Sequence, residues 1–395
     1  MTASVTIFHN VVWSRHKGAV FSALYNLSAA GSIRYAMVQI ADTETDRIGF
    51  SDVDYSFHRY PMRKLFDGCY EDVPTWRMIV RLTTEVLKTK SELVVLPGYH
   101  RPEYWAMLAA CIVTRKRRAV FCDSTAFDRP RRLVTSIPKR IFFSLCDGYF
   151  GFGERSREYL MSLGAKRERI FVPCQAAALP RSFAPERALA ARLSARDADA
   201  PVFLYVGRLS EEKAVGTLLD AFARLRETQP AATLRIVGTG PQRDALRVHA
   251  QTLGIADAVQ FVGSLQDEPL SHEYFGAMCL VLPSYSEPWG LVVNEALSHG
   301  CPAVVSDRCG CVPELIVAGE TGLSFPAGDV DALSRTLLEA TWRFHDGEHT
   351  ARACMARIAR FNPCSAAANI ERGCATMLRG PSSGRSPSHA RSARP

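Results

Sequence analysis

Residues 279–302 have the sequence CLVLPSYSEPWGLVVNEALSHGCP. The apolar start predicts a buried strand, the polar middle predicts a loop, and the pattern after Gly290 predicts a helix. Open α/β sheets bind ligands at such strand-to-helix junctions, outside the carboxyl ends of the strands. The stretch therefore predicts an α/β fold with a ligand site at this junction.

The loop and helix of this stretch carry two carboxylates. Backbone N–H groups of Trp289, Gly290 and Leu291 at a helix N-terminus would point toward an anion such as a diphosphate. Carboxylates accept hydrogen bonds from hydroxyls, so Glu287 fits a donor sugar and Glu295 fits a ribose diol. The alternative is that Glu287 is only a helix-terminal charge and Glu295 a solvated helix residue.

A second strand-to-helix junction lies at residues 202–222, VFLYVGRLSEEKAVGTLLDAF. Arg208 and Lys213 flank its turn, again at a carboxyl edge, where two cations would meet a diphosphate. A guanidinium and an ammonium there would stabilise a departing nucleoside diphosphate. The alternative is a solvent-exposed turn in which Lys213 pairs with Glu211 or Glu212.

Short apolar runs alternate with helical patterns along the chain, which is typical of a parallel sheet covered by helices. The first half contains SVTIF, YAMVQI, ELVVL, RAVFC and GYFGF, and the second contains VFLYVG, TLRIVG, VQFVG, CLVLP, PAVVS and GLSF. The pattern restarts after residue 200, and the length of 395 residues favours two domains. We therefore expect two Rossmann-like, doubly wound parallel-sheet domains.

Composition predicts the domain limits. Residues 174–201 are rich in alanine and charge and contain three prolines, which suits a connector. We expect a first domain at 1–180, a second domain at 181–362 and a terminal helix at 363–379. Residues 380–395 lack apolar periodicity, so we expect a disordered tail there.

Positive charge is concentrated in the first half of the chain. Residues 1–190 carry 28 Lys and Arg against 18 Asp and Glu, whereas residues 191–395 carry 20 against 22. The densest parts are Arg115–Arg118 and Arg129–Arg140, which could face phosphates, an anionic bilayer or nucleic acid, or form a solvated face. The arginine runs lack interleaved aromatic residues, so we expect no nucleic-acid partner.

The apolar segments are short. None approaches the ~20 residues of a membrane span, and the start, MTASVTIFHN, lacks the basic region and apolar run of a secretory signal. We expect a cytoplasmic protein that is at most peripheral at the inner face of a membrane.

Neither the cysteines nor the paired aspartates predict a metal. The twelve cysteines are scattered, without a Cys-x-x-Cys pair, and favour free buried thiols. Asp-x-Asp triplets begin at Asp52, Asp197 and Asp329, but none follows a clear core strand, and Asp329 suits a helix N-cap. We expect no metal and no cofactor.

The two junctions, together with Val237–Pro241 and the segment Pro313–Gly322, closely resemble glycosyltransferase family 4. Its Glu-x7-Glu motif is matched by Glu287 and Glu295, and its Gly-Arg-x4-Lys motif by Gly207, Arg208 and Lys213. Gly238 lies in the Val237–Pro241 segment and belongs to the same donor site. The resemblance is specific over residues 200–340.

The resemblance implies the GT-B fold, with two domains facing a cleft, and a retaining transfer that needs no metal. It implies that the second domain binds a nucleotide diphosphate sugar as co-substrate and that the first domain binds the acceptor. Arg208 and Lys213 would then bind the diphosphate, Glu287 the donor sugar and Glu295 the ribose. The terminal helix at 363–379 would cross back to the first domain.

The first half departs from the family pattern in two places. The glycine-rich loop after the first strand is replaced by HNVVWSRHKG, in which Gly18 is a partial equivalent. The histidine that family members carry near the reacting carbon aligns with Cys122-Asp123, so Asp123 and, from a neighbouring loop, His100 are both candidates for that position.

We therefore predict a retaining hexosyltransferase that uses a UDP- or GDP-sugar. The acceptor is a saccharide, with a lipid-linked oligosaccharide of surface polysaccharide biosynthesis favoured. A catalytically silent subunit that binds sugar nucleotides in a polysaccharide assembly complex is the main alternative. An epimerase or a sugar phosphorylase is less favoured, because Arg208, Lys213, Glu287 and Glu295 occur together.

Overall fold

The computed structural model describes residues 3–45, 52–128, 133–195 and 200–379. These residues form two α/β domains, each built on one all-parallel sheet. The predicted tail at 380–395 and the triplet beginning at Asp197 lie outside the described residues.

The first domain contains a seven-stranded sheet in the order β3-β2-β1-β4-β5-β6-β7. Its strands are β1 (Ala3–Val11), β2 (Ile33–Ala41), β3 (Met62–Lys64), β4 (Leu93–Leu96), β5 (Arg117–Cys122), β6 (Gly148–Gly151) and β7 (Ile170–Phe171). The connecting helices are α1 (Arg15–Ala30), α2 (Thr75–Lys88), α3 (Pro102–Val113), α4 (Leu133–Ser144) and α5 (Glu154–Ser162).

The second domain contains a six-stranded sheet in the order β10-β9-β8-β11-β12-β13. Its strands are β8 (Val202–Val206), β9 (Thr233–Val237), β10 (Val259–Gly263), β11 (Cys279–Leu282), β12 (Ala303–Ser306) and β13 (Gly322–Phe325). Its helices are α6 (Pro185–Ala195), α7 (Val215–Thr228), α8 (Arg243–Thr252), α9 (Asp267–Gly276), α10 (Leu291–Ser298), α11 (Val312–Leu315), α12 (Val330–Arg343) and α13 (Gly347–Ile358). A last helix, α14 (Pro363–Arg379), follows this domain in the chain.

The predicted two-sheet α/β fold is confirmed, and each of the eleven predicted apolar runs contains a strand. Two further strands were missed because they are short. β3 has three residues and β7 has two, so neither is long enough to show a periodicity of its own.

Strand order places the ligand crevices. Chain order reverses between β1 and β4 in the first sheet and between β8 and β11 in the second. Helices that leave neighbouring strands toward opposite faces open a crevice at the carboxyl edge between them. Both predicted junctions of the second domain, after β8 and after β11, border its crevice.

Helix α14 packs on the first domain, although it follows the second in sequence. Ala366, Ala367 and Ile370 are buried in the same apolar cluster as Val20 and Phe21 of α1. Asn369 also donates to the Pro173 carbonyl at 2.8 Å. The chain therefore passes between the domains twice, once near residue 180 and once before Pro363.

Within the described residues, no helix is both long enough and apolar enough to cross a membrane.

Candidate active site

The loop between β11 and α10 is fixed by its own side chains. Gly290 caps α10 with φ of 98°, a left-handed conformation that favours glycine. The Trp289 indole is buried and donates to Asn294 Oδ1 at 2.7 Å, one turn into the helix. The tryptophan therefore anchors the loop to the helix that it precedes.

The same loop lies against the segment after β12. Gly310 N donates to the Glu287 carbonyl at 2.8 Å, and Cys311 N donates to the Trp289 carbonyl at 3.0 Å. A Cβ on Gly310 would lie 1.9 Å from the Pro288 carbonyl oxygen. Only glycine allows this approach, and the result is a rigid position for Glu287.

The two predicted junctions are adjacent in space. Lys213 Nζ lies 2.5 Å from Glu287 Oε2, and both side chains are largely buried. Tyr285 N donates to the Glu212 carbonyl at 2.9 Å, which joins the two turns through the backbone as well. Lys213 therefore pairs with the predicted sugar-binding carboxylate, and the sequence alternative that it pairs with Glu211 or Glu212 is wrong.

Arg208 lies on the same turn as Lys213. Tyr205 Oη donates to the Arg208 carbonyl at 2.7 Å. Burial alone would raise the pKa of Glu212, but hydrogen bonds from Ser210 and its own backbone and the charges of Lys213 and Arg208 lower it overall. Both cations thus lie close enough to a carboxylate to stabilise its negative charge.

Glycines bring this turn into backbone contact with the next one. Gly238 has φ of 140°, and a Cβ on it would lie 1.8 Å from the Gly207 carbonyl oxygen. Leu209 N donates to the Thr239 carbonyl at 2.8 Å, and a Cβ on Gly240 would lie 2.4 Å from the Leu209 carbonyl oxygen. The predicted site glycines therefore shape the crevice by leaving no side chain in it.

Glu295 lies half-buried on α10, beneath the loop. Tyr274 Oη donates to Glu295 Oε2 at 2.9 Å. Burial raises the pKa of Glu295 to about 7, since the Tyr274 hydrogen bond and the charge of Arg15 only partly offset it. The group is therefore not the solvated helix residue of the sequence alternative, and near neutral pH it exists in both protonation states.

The first domain faces this site with a buried lysine that sequence analysis missed. Lys17, on the first turn of α1, lies 4.7 Å from the centre of the Phe121 ring and 5.2 Å from that of Phe152. Burial lowers the pKa of Lys17 to about 8, although the charges of Asp123 and Cys174 oppose the shift. The sequence contains a signal for its burial, because Lys17 and the apolar Phe21 are four residues apart and lie on the same face of α1.

The three first-domain predictions occupy different surroundings. Asp123 is exposed after β5, close enough to Lys17 to act on its charge. His100 is exposed after β4, with its ring 5.7 Å from that of Tyr104. Gly18 packs against His58, since a Cβ there would lie 2.8 Å from His58 Nε2.

The two domains meet beside the donor loop. Ser286 Oγ donates to Asp128 Oδ1 at 3.4 Å, and Arg15 Nη1 donates to Asp267 Oδ1 at 3.0 Å. A Cβ on Gly153 would lie 2.3 Å from the Trp289 ring. The first domain therefore closes one side of the loop that carries Glu287.

Glu314, from the segment quoted for the family resemblance, completes this contact. One carboxylate oxygen accepts a hydrogen bond from Glu154 N at the start of α5, and the other is buried with no hydrogen-bond partner. Burial, reinforced by the charge of Glu154, raises the pKa of Glu314 to about 7 even though the Glu154 N–H bond lowers it. A protonated carboxyl group suits such a site.

The described residues contain no group of three His, Cys, Asp or Glu side chains arranged to hold a metal ion. Asp54 accepts from Ser56 N and pairs with Arg15, and Asp329 caps α12 by accepting from Ala332 N at 2.8 Å. The predicted N-cap is confirmed. The prediction of free, mainly buried thiols is also confirmed, with Cys364 exposed.

Comparison with known proteins gives matches that include the residues of this site. Residues 190–342 match the family model "Glycosyl transferases group 1". The chain is 42% identical to glycogen synthase of Mycobacterium tuberculosis over 131 residues, covering 33% of this chain and 31% of that protein. It is 31% identical to D-inositol 3-phosphate glycosyltransferase of Nocardia farcinica over 277 residues, covering 64% of this chain and 60% of that protein.

The aligned parts span about a third of the length of the synthase and three fifths of that of the inositol phosphate enzyme. Among solved structures, HepE of Anabaena in complex with UDP matches with a TM-score of 0.70 at 16% identity, over 94% of this chain and 99% of that one. At this identity the likeness shows the fold alone, and it confirms the predicted GT-B fold. Residues 190–342, which lie in the second domain and carry both strand-to-helix junctions of the site, match the glycosyl transferases group 1 family.

Proposed function

We propose that the chain is a retaining, metal-independent glycosyltransferase of family 4. It transfers a hexose from a UDP- or GDP-sugar to an acceptor hydroxyl, with a lipid-linked oligosaccharide of surface polysaccharide biosynthesis favoured as acceptor. The observation that carries the proposal is the contact between Lys213 and Glu287 at the crevice where Arg208 also lies. The cations that would bind a diphosphate are thereby held beside a carboxylate that would accept hydrogen bonds from sugar hydroxyls.

The site supplies charge where the reaction needs it. Breaking the bond between the anomeric carbon and the diphosphate places negative charge on the leaving oxygen, which Arg208 and Lys213 would stabilise. An ammonium carries three donors, so Lys213 can hold Glu287 and a phosphate oxygen together. The carboxylate then keeps the lysine in place and accepts hydrogen bonds from the donor sugar.

The proton balance requires no dedicated base. The acceptor oxygen forms the new bond to the anomeric carbon on the face that the diphosphate leaves, which retains the configuration. The acceptor proton passes to the departing phosphate oxygen. Asp123 and His100, both exposed on first-domain loops, are the candidates for positioning the acceptor, and Glu295 is the candidate for the ribose hydroxyls.

The comparisons support the nucleotide part of this proposal. One structural neighbour, HepE of Anabaena, is solved with UDP, and two relatives are named as a glycogen synthase and an inositol phosphate glycosyltransferase. UDP-sugars are therefore the first donors to test. Peripheral binding at an anionic membrane would suit a lipid-linked acceptor.

A nucleotide-release assay tests the proposal. Purified protein is offered UDP- and GDP-sugars in the presence of a chelator, with Lys213→Ala, Glu287→Ala and the control Arg226→Ala, whose side chain pairs with Asp257 on the surface of the second domain. We expect one donor to be turned over with chelator present, a loss of about 100-fold or more in the first two variants, and little change in the control.

Other outcomes contradict specific parts of the proposal. Release that stops with chelator would contradict the metal-independent mechanism. A donor that binds without turnover, across a panel of acceptors, would favour the silent subunit. No binding by any sugar nucleotide would show that the donor site is wrongly assigned.

A further inference from the structure

Helix α2 has apolar residues on two opposite faces. Its inner face, which packs in the core of the first domain, consists of Met78, Leu82, Glu85 and Val86. At about 100° per residue, Trp76, Val80 and Leu87 fall together on the opposite side of the helix. All three are exposed, and Trp76 is 67% accessible. Single exposed apolar residues are ordinary, but a stripe along one helix marks an interaction surface.

The two helices after α2 extend this surface. Ile112 and Val113 are exposed at the end of α3, and Val113 is 78% accessible. Ile137 and Ile141, one turn apart on α4, are also exposed. Helices α2 and α3 pack on each other, and the Trp105 ring of α3 lies 5.1 Å from the Phe142 ring of α4. The three helices therefore form one layer with an apolar outer side, which we call the α2–α4 face.

The charges of the α2–α4 face are one-sided. Arg77, Arg81 and Lys88 repeat the spacing of the apolar stripe one residue later, so they form a basic stripe beside it. Exposed Arg115 and Arg140 add positive charge at α3 and α4. A protein partner would be expected to find exposed charges of both signs on these helices, whereas the exposed charged residues within α2, α3 and α4 are all basic.

Acidic residues of these helices are turned inward. Glu85 of α2 is buried and pairs with Arg63 and Arg81, and Glu103 of α3 is buried and accepts from Tyr70 Oη at 2.8 Å. The sequence of α4 contains no acidic residue. Arg81 is therefore paired, whereas Arg77, Lys88, Arg115 and Arg140 add positive charge beside the exposed apolar side chains, which is the pattern that favours an anionic lipid surface.

We propose that the α2–α4 face binds the surface of an anionic lipid bilayer, with Trp76, Val80 and Leu87 inserted at the level of the headgroups. The inference deepens the proposed function, on which it rests for its biological use, because a lipid-linked acceptor would be presented at such a surface. Tryptophan suits the interface because it has an apolar ring and a polar N–H.

Vesicle co-sedimentation tests the proposal with the full chain. The probes are phosphatidylcholine vesicles with and without phosphatidylglycerol. The variant W76S/V80S/L87S is compared with V248S/W342S, whose apolar side chains on the second domain are similarly exposed. We expect wild type and the control to bind phosphatidylglycerol vesicles, and the α2 variant to bind about tenfold more weakly.

A charge variant separates the contribution of the basic stripe to vesicle binding from that of the apolar stripe. Arg77→Glu with Lys88→Glu leaves the apolar stripe and the Glu85 ion pairs intact. We expect binding of wild type to weaken as salt is raised, and binding of this variant to be weak at all salt concentrations. Circular dichroism of each variant checks that the first domain remains folded.

Three results would overturn the proposal. The first is that wild type fails to sediment with phosphatidylglycerol vesicles at low salt. The second is that the α2 variant and the V248S/W342S control lose vesicle binding to the same extent. Self-association through the same residues, without lipid binding, would identify a second copy of the chain as the occupant. Because vesicle binding is measured without a sugar donor, its failure is distinguishable from failure of the proposed transferase activity.

Discussion

The crevice of the second domain and that of the first are built on the same sheet arrangement but by different means. In the second domain, the backbones of Gly238 and Gly310 pack against the carbonyl groups of Gly207 and Pro288 and leave a charged pair, Lys213 and Glu287, at the edge. In the first domain, the equivalent turn after β1 buries the charged side chain of Lys17 between aromatic rings. Backbone contacts tolerate no substitution, whereas side-chain contacts can adjust.

Substituting one glycine in each crevice would sharpen this comparison most strongly. Gly238→Ala places a Cβ 1.8 Å from a backbone carbonyl and requires φ of 140°, so we expect a loss of more than about 3 kcal/mol in the free energy of unfolding. Gly18→Ala meets the end of the His58 ring, which can shift, and should cost about 1 kcal/mol or less. Chemical denaturation of both variants measures the difference.

A third glycine provides the control. Gly216 lies on the first turn of α7, where a Cβ would meet no neighbouring atom within 4 Å. Because alanine has the higher helix propensity, Gly216→Ala should leave stability unchanged or raise it by up to about 1 kcal/mol. Equal losses at 238 and 18 would contradict the contrast between the two crevices.

The buried lysine of the first domain makes a prediction about alkaline pH. The pKa of Lys17 is lowered to about 8 in the folded protein from about 10.5 in the unfolded chain. Between these values the unfolded chain binds more protons, so stability rises with pH. From pH 8 to about 9.5 the free energy of unfolding should rise by about 1 to 2 kcal/mol relative to that of Lys17→Met. The lysine assignment fails if Lys17→Met and wild type follow parallel curves of stability against pH.

Glu314, at the contact between the domains, should make stability change with pH in the direction opposite to that expected for Lys17. The pKa of Glu314 is raised to about 7 in the folded protein, so the folded state holds a proton that the unfolded chain has lost above about 4.5. The free energy of unfolding should therefore decrease through Glu314 as pH rises from about 4.5 to about 7. Glu314→Gln keeps the acceptor for Glu154 N, and by pH 8 it should be more stable than wild type by about 3 kcal/mol.

Denaturation at pH 5 and pH 8 measures this effect. The difference between Glu314→Gln and wild type should be small at pH 5, where both side chains are neutral and bonded alike. A constant difference at both values would mean that the carboxyl group is ionised throughout and would contradict its placement at a closed contact.

The second domain was predictable because its chemistry is local in sequence. Its strands are apolar runs of four residues or more, and Arg208 to Lys213 and Glu287 to Glu295 each lie within one strand-to-helix junction. The pairing of Lys213 with Glu287 was not predictable, because 74 residues separate them and only the order of β8 and β11 brings their turns together. The Tyr274 hydrogen bond to Glu295 was missed for the same reason.

The first domain was less predictable because its site depends on contacts between distant segments. Lys17 lies against residues of β5 and of the loop after β6, and Gly153 approaches Trp289 of the other domain. Strands of two and three residues at the edges of the sheet leave no periodic signal. Only the position of Lys17 on the face of Phe21 offered a clue.

Nucleoside diphosphate binding tests the central claim most directly. Calorimetric titration with UDP and with GDP compares wild type, Lys213→Ala, Glu287→Ala and Arg226→Ala. We predict that one nucleotide binds, that Lys213→Ala weakens its binding about tenfold or more, and that Glu287→Ala has a much smaller effect, because Glu287 is proposed to contact the sugar, which UDP and GDP lack. Equal binding in wild type and Lys213→Ala, or a loss in Glu287→Ala alone, would contradict the account.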